Sequence, residues 1–127
     1  MTNDQIAVNW FKHYQDAVNF GFDSAEAEKS FVGHECLQNL CIEDPIKALK
    51  IIKLIFEMSP ADRIFYNLAA GPFEDLLVLH GLQLIPNLKK LVQENPDFLR
   101  LFEGVWIDGI AYPVRSKLMD LLDEYGE

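Results

Sequence analysis

The stretch Leu68-Ala69-Ala70-Gly71-Pro72-Phe73-Glu74-Asp75-Leu76-Leu77-Val78-Leu79-His80-Gly81 decides how the chain is read. It is apolar on both sides of a Gly-Pro break, and it carries two adjacent carboxylates and a histidine. Proline suits the first helical position, because the N–H it lacks would be unpaired there and its φ is already near helical. Pro72 is therefore expected to open a helix, with Gly71 ending the helix before it and capping the one that follows. Glu74 then falls at the third helical position, where a carboxylate reaches back to the Gly71 N–H. Asp75 lies near the positive end of the helix dipole with no evident local partner. That makes Asp75 the first binding candidate of the segment.

At about 100° per residue, Phe73, Leu76, Leu77 and His80 share one face, and Glu74, Asp75 and Val78 share the opposite one. His80 is thus expected on the apolar side, in a last turn before Gly81, as a core or C-terminal capping histidine. A His–carboxylate pair within this helix is geometrically poor.

The same reasoning extends to the other prolines, Pro45, Pro60, Pro86, Pro96 and Pro113, each placed where a helix could begin. Asp44, Ser59 and Asn95 precede three of them as capping residues. Ser59-Pro60-Ala61-Asp62 is close to a capping box. Between the prolines, apolar residues recur at helical spacing: Ile6, Trp10, Tyr14 and Ala17; Phe31, Leu37, Leu40 and Cys41; Leu49, Ile52, Ile55 and Phe56; Phe98, Leu99, Phe102, Val105 and Trp106; Val114, Leu118, Leu121, Leu122 and Tyr125. No stretch alternates as a strand would. The expectation is one all-α domain over residues 1–127, a compact orthogonal bundle of about eight short helices. A short helical-repeat-like array is the other arrangement the pattern allows.

Half of the 127 residues are hydrophobic and 12% are aromatic, which is too apolar for a disordered chain. The net charge of −9 speaks against nucleic-acid phosphates and anionic membranes, which call for clustered Lys and Arg, and it suits a basic protein partner. Acids exceed bases by seven to two in residues 1–43 and by seven to three in residues 95–127; residues 44–94 balance at six each.

Cys36 and Cys41 are spaced so that they point in different directions on a helix, and are expected as buried thiols of a cytoplasmic protein. The N-terminus lacks the basic and apolar regions of a signal peptide. The greasy run Ile51 to Phe56 is interrupted by Lys53 and is too short to span a membrane.

Templates for catalysis fail one by one. His34-Glu35-Cys36 has no second histidine at zinc-protease spacing, and there is no Cys-X-X-Cys pair, Gly-rich phosphate loop or Gly-X-Ser-X-Gly elbow. No catalytic, metal or cofactor residue is therefore expected. Lys47, Lys50 and Lys53 form an ordinary solvated arc, with Lys53 and Glu57 as an i,i+4 pair. Trp10 and Trp106 read as packing residues. Trp106 also sits near a helix end before Asp108-Gly109, and an exposed tryptophan there would anchor a partner.

Leu68 to Leu77, His80-Gly81 and Gly104-Val105-Trp106 together resemble an uncharacterised bacterial domain family. Its signature is Leu-Ala-Ala-Gly-Pro-Leu-Glu-Asp-Leu-Leu, a following His-Gly and a downstream Val-Trp. The resemblance extends to Trp10, Tyr14, Asp44-Pro45, Pro96, Phe98 and Arg115. Phe73 departs from the leucine of the signature, which only enlarges an apolar contact. The resemblance implies a small bacterial cytoplasmic domain and no particular reaction.

Two functions stand at this point. The first is a non-enzymatic interaction domain, immunity-like or regulatory, that meets a basic partner. The second is a small-molecule or catalytic site around Asp75, helped by Glu74 or His80, which requires a concave pocket with Asp75 on its wall.

Overall fold

A computed structural model describes residues 1–126. Helix α1 spans Asn3–Phe20 and opens on a capping box: the Thr2 hydroxyl accepts from the Gln5 N–H at 3.1 Å, and the Gln5 side chain accepts from the Thr2 N–H at 2.8 Å. Ser24 caps the short α2 (Ala25–Lys29) by accepting from Ala27 N–H. Helix α3 (Phe31–Glu43) follows directly, and α4 (Pro45–Glu57) starts as expected, with Asp44 as cap and Pro45 at the first position. Ser59 adopts φ +53° and ends α4 in the left-handed region, so it does not cap the next helix. Helix α5 (Asp62–Leu68) has Ala61 at its N-cap and no side-chain capping bond.

The decisive segment departs from expectation. Pro72 does not begin a helix. α5 runs into a π-helical turn, Ala69–Phe73, and then into α6 (Glu74–Glu94) without a stop. A proline ring clashes with the carbonyl four residues back in an α-helix. The wider π turn relieves that contact, and the Glu74 N–H reaches the Ala69 carbonyl five residues back. Gly71 is accordingly neither a terminator nor a cap. Pro86 also lies inside α6, downstream of a break in helical dihedrals at His80 (φ −135°, ψ 17°).

Two 3₁₀ segments, Pro96–Gly104 and Ile107–Gly109, lead to α7 (Tyr112–Tyr125). Seven α-helices and no strand are present among the described residues, close to the eight helices expected. α1 packs against α2, α3, α4 and α5, so its contacts are not confined to sequence neighbours as in a repeat array. The core is one continuous cluster that includes Trp10, Leu37, Ile52, Leu68, Phe73, Leu84, Phe98 and Leu118.

The run Asp62–Glu94 is 33 residues long and reaches a mean hydropathy of 1.2, the length and composition of a membrane span, with 44% of that apolar window buried in the fold. Its excess of apolar residues lies on two faces. Leu76, Leu77, Leu84 and Leu88 are in the core, whereas Val78, Leu79 and Leu82 face outward.

Gly33 and Gly81 mark close approaches between α-helices. Gly33 in α3 lies against the Trp10 backbone of α1, and Gly81 in α6 lies against the Val114 methyls of α7. A Cβ at Gly81 would overlap both methyls, whereas one at Gly71 would meet nothing within 4 Å. Gly81→Ala is therefore expected to destabilise by about 1–3 kcal/mol through overpacking, partly restored by Val114→Ala. Gly71→Ala gains helix propensity but sets a Cβ against the neighbouring Pro72 ring, so its effect should be small, within about 1 kcal/mol. Urea unfolding of the variants measures both effects.

Candidate functional site

The continuity of α5 and α6 changes the role of each candidate residue. Glu74 cannot cap Gly71. Its Oε1 instead accepts the Trp106 backbone N–H at 2.6 Å, tying the first turn of α6 to the loop between the 3₁₀ segments. His80 is half-buried, sits at the kink where the first part of α6 ends, and reaches away from its own helix. Its Nε2–H donates to the Ile42 carbonyl at 3.2 Å, so it caps the C-terminal end of α3. The capping chemistry is as expected, but the capped helix is a different one. Trp106 is 70% exposed and is no core residue; its ring lies over Gly109, and Asp108 pairs with Arg115 at 3.7 Å.

Asp75 and Val78 both face outward. Asp75 stands on the wall of a small niche formed by Trp10 and Tyr14 of α1, His34, Leu37 and Gln38 of α3, and the Gly71-Pro72 backbone turn. The niche encloses about 50 Å³. Its position follows from two constraints already described. Gly33 lets α3 close on α1 beside Trp10, which places His34 opposite Tyr14. The π turn then brings Pro72 under α3, where the Cys41 thiol donates to the Pro72 carbonyl at 3.6 Å.

Tyr14 Oη and His34 Nδ1 are 2.9 Å apart. Behind them, the buried His13 donates from Nδ1 to the Ala27 carbonyl at 2.7 Å, and its ring is 5.5 Å from that of His34. Burial, reinforced by His13, lowers the His34 pKa below that of a free imidazole, against a weaker opposing pull from Glu35. Burial and then the Asp75 charge raise the Tyr14 hydroxyl. Cys41 is pushed up to about 12 by burial and then by Asp75, which makes it an inert thiol. The Asp75 carboxyl is itself held above the usual carboxylate range, by burial first and Glu74 second.

Asp75 takes part in none of the ion pairs among the described residues, which are Lys12–Asp16, Lys53–Glu57, Lys53–Glu94 and Arg115–Asp108. No three His, Cys, Asp or Glu side chains among those residues converge as a metal site requires.

Larger clefts lie elsewhere. One of about 600 Å³, between the Pro96–Gly104 segment and the end of α7, contains none of the four candidates. A groove of about 250 Å³ between α4 and α6 carries Lys50, Lys53 and Lys90, with Glu94 close enough to pair with Lys53.

The model of a family of unknown function, DUF6869, matches residues 23–125. The chain belongs to that family. No curated protein and no solved structure gives a significant match. The DUF6869 match takes in His34, Glu74, Asp75, His80 and Trp106, whereas Tyr14 precedes it.

Sequence reasoning missed Tyr14, His34 and Gln38 as neighbours of Asp75. One signal was available: a glycine inside a helical pattern marks a close backbone approach, so Gly33 placed its neighbour His34 at a helix crossing.

Three measurements follow from this geometry. Glu74→Ala should cost about 1–2 kcal/mol and speed hydrogen exchange at the Trp106 amide, while Glu74→Gln keeps an acceptor and most of that protection. For Asp75 the raised pKa means that the folded state binds more protons than the unfolded one, so stability falls as pH rises from the usual carboxylate value through the raised one. Asp75→Asn is therefore expected to match or exceed the parent in Tm at pH 7 and to coincide with it once both carboxyl states are protonated. His34 has the opposite sign. Its lowered pKa gives stability that is complete above 6.5 and falls on acidification, and its ring protons should titrate with a midpoint below 6.5.

Proposed function

We propose that the chain is a protein-interaction domain without a catalytic centre, which docks a basic partner on the outward face of α6. The observation that carries the reading is the stripe Val78, Leu79 and Leu82, at 52%, 54% and 56% exposure, on a helix whose other face is already in the core. A helix that is apolar all round is ordinarily buried on both sides, and its exposed side marks a binding surface. Helical spacing sets Glu74 one turn before Val78 and Asp75 one turn before Leu79. Ile42, 60% exposed, lies at the α3 end that His80 caps. The stripe thus has carboxylates at its head, in a chain of net charge −9, and complements a basic amphipathic segment.

The grouping of Tyr14, His34 and Asp75 favours a second reading, a small-molecule or catalytic site around Asp75. Its volume weighs against that reading: about 50 Å³ is far below the roughly 300–1,000 Å³ of metabolite pockets.

Capture from the source cell with two baits separates the readings. The parent should retain a stoichiometric basic protein, and a bait carrying Val78→Ser, Leu79→Ser and Leu82→Ser should lose it with Tm changed by no more than a few degrees. Equal recovery by the two baits, or no stoichiometric protein on either, overturns the proposal.

A further inference from the structure

We propose that the niche walled by Tyr14, His34 and Asp75 seats a single cationic side chain, arginine or lysine, presented by the partner that docks on α6. The inference rests on the docking reading and adds the residue class that would fix the register of the complex.

The niche offers oxygen acceptors. Asp75 supplies a carboxylate that no lysine or arginine among the described residues engages. The Tyr14 oxygen keeps a lone pair when its O–H donates to His34 Nδ1, and the Gln38 side chain carries an amide oxygen beside its N–H donors. No cationic side chain lines the cavity. His34 is biased toward its neutral form by burial and by His13, so it does not offset the carboxylate. The influence of Asp75 extends to both neighbouring acids, Tyr14 and Cys41, and opposes negative charge on each. A cation entering the niche would meet that same field with the favourable sign.

Shape limits the occupant. A cavity of about 50 Å³ takes a guanidinium or ammonium head and excludes a metabolite. Trp10, Leu37 and Pro72 make an apolar lining that suits the methylene stem of lysine or arginine. Asp75 is one helical turn from Leu79, so a residue seated here would be followed naturally by apolar contacts along the stripe.

The test uses the intact chain and needs no partner. Nα-acetyl-arginine methylamide and Nα-acetyl-lysine methylamide are titrated into labelled protein, with the neutral Nα-acetyl-citrulline methylamide as control, and the resonances of Tyr14, His34 and Asp75 are followed by NMR. At least one cationic probe should give saturable shifts in the millimolar range, at least tenfold weaker with citrulline and in Asp75→Asn. Tyr14→Phe, which keeps the packing and removes the hydroxyl, should weaken the cation severalfold. Shifts equal for citrulline and the cations, shifts unaltered by Asp75→Asn, or no saturable shift with either cation overturn the proposal. Loss of the niche with retention of the stripe effect in the two-bait capture would leave the docking face standing, so the two failures are distinct.

Discussion

A proline inside a helix that does not stop is the constraint on which the rest of this molecule depends. Pro72 has no N–H to donate, and its ring excludes the carbonyl that an α-helix would place beside it. The chain answers with one π turn and continues from Asp62 to Glu94. That turn brings the Pro72 carbonyl to the Cys41 thiol and carries Phe73 into the core against Phe98 and Phe102. It also turns Glu74 toward the Trp106 amide and leaves Asp75 facing α1 and α3. π turns are rare and usually occur as single turns inside α-helices. Here the turn ends just before Glu74 and Asp75.

The long helix then serves two surfaces at once. Its inner residues close the core between α4, the Pro96–Gly104 segment and α7, with Gly81 allowing α7 to approach. Its outer residues Val78, Leu79 and Leu82 have no intramolecular role that would account for their exposure. Scattered exposed apolar residues are normal in any protein, but three within five residues, close to Asp75, are not scattered.

The helical class was legible because apolar residues repeat at helical spacing almost everywhere. Asp44-Pro45 and Asn95-Pro96 were legible as helix starts because a capping side chain precedes the proline. Pro72 and Pro86 have no such cap before them and lie inside helix, but the cue is not decisive: Ser59 precedes Pro60 without starting a helix, and Pro113 opens α7 with no side-chain cap. Local spacing treats all prolines alike, whereas tertiary burial decides whether a break in hydrogen bonding is tolerated. The same limit explains Glu74. Its local option, the Gly71 N–H, lost to a partner thirty-two residues away that only the folded chain presents. His80 shows the half-way case: a histidine near a glycine was read as a cap, but the carbonyl it finds belongs to α3. The Tyr14–His34 contact joins residues twenty apart and has no local pattern at all. Asp75 stood out in the sequence for want of a partner, and among the described residues no ion pair includes it.

That unpaired carboxylate is a small liability to the fold, since charging it on a partly buried wall opposes folding as pH rises. A cation in the niche removes the cause. It supplies the missing counter-charge, draws the Asp75 pKa back toward that of an ordinary carboxylate, and releases a proton wherever Asp75 was still protonated. Linkage requires the converse as well: acidification that protonates Asp75 weakens the hold on the cation. In the proposed complex, the feature that slightly disfavours the isolated domain would be the one that favours binding, the familiar balance between stability and function. An arginine or lysine of the domain itself, placed to pair with Asp75, would stabilise the fold and fill the niche, leaving no seat for the proposed cation.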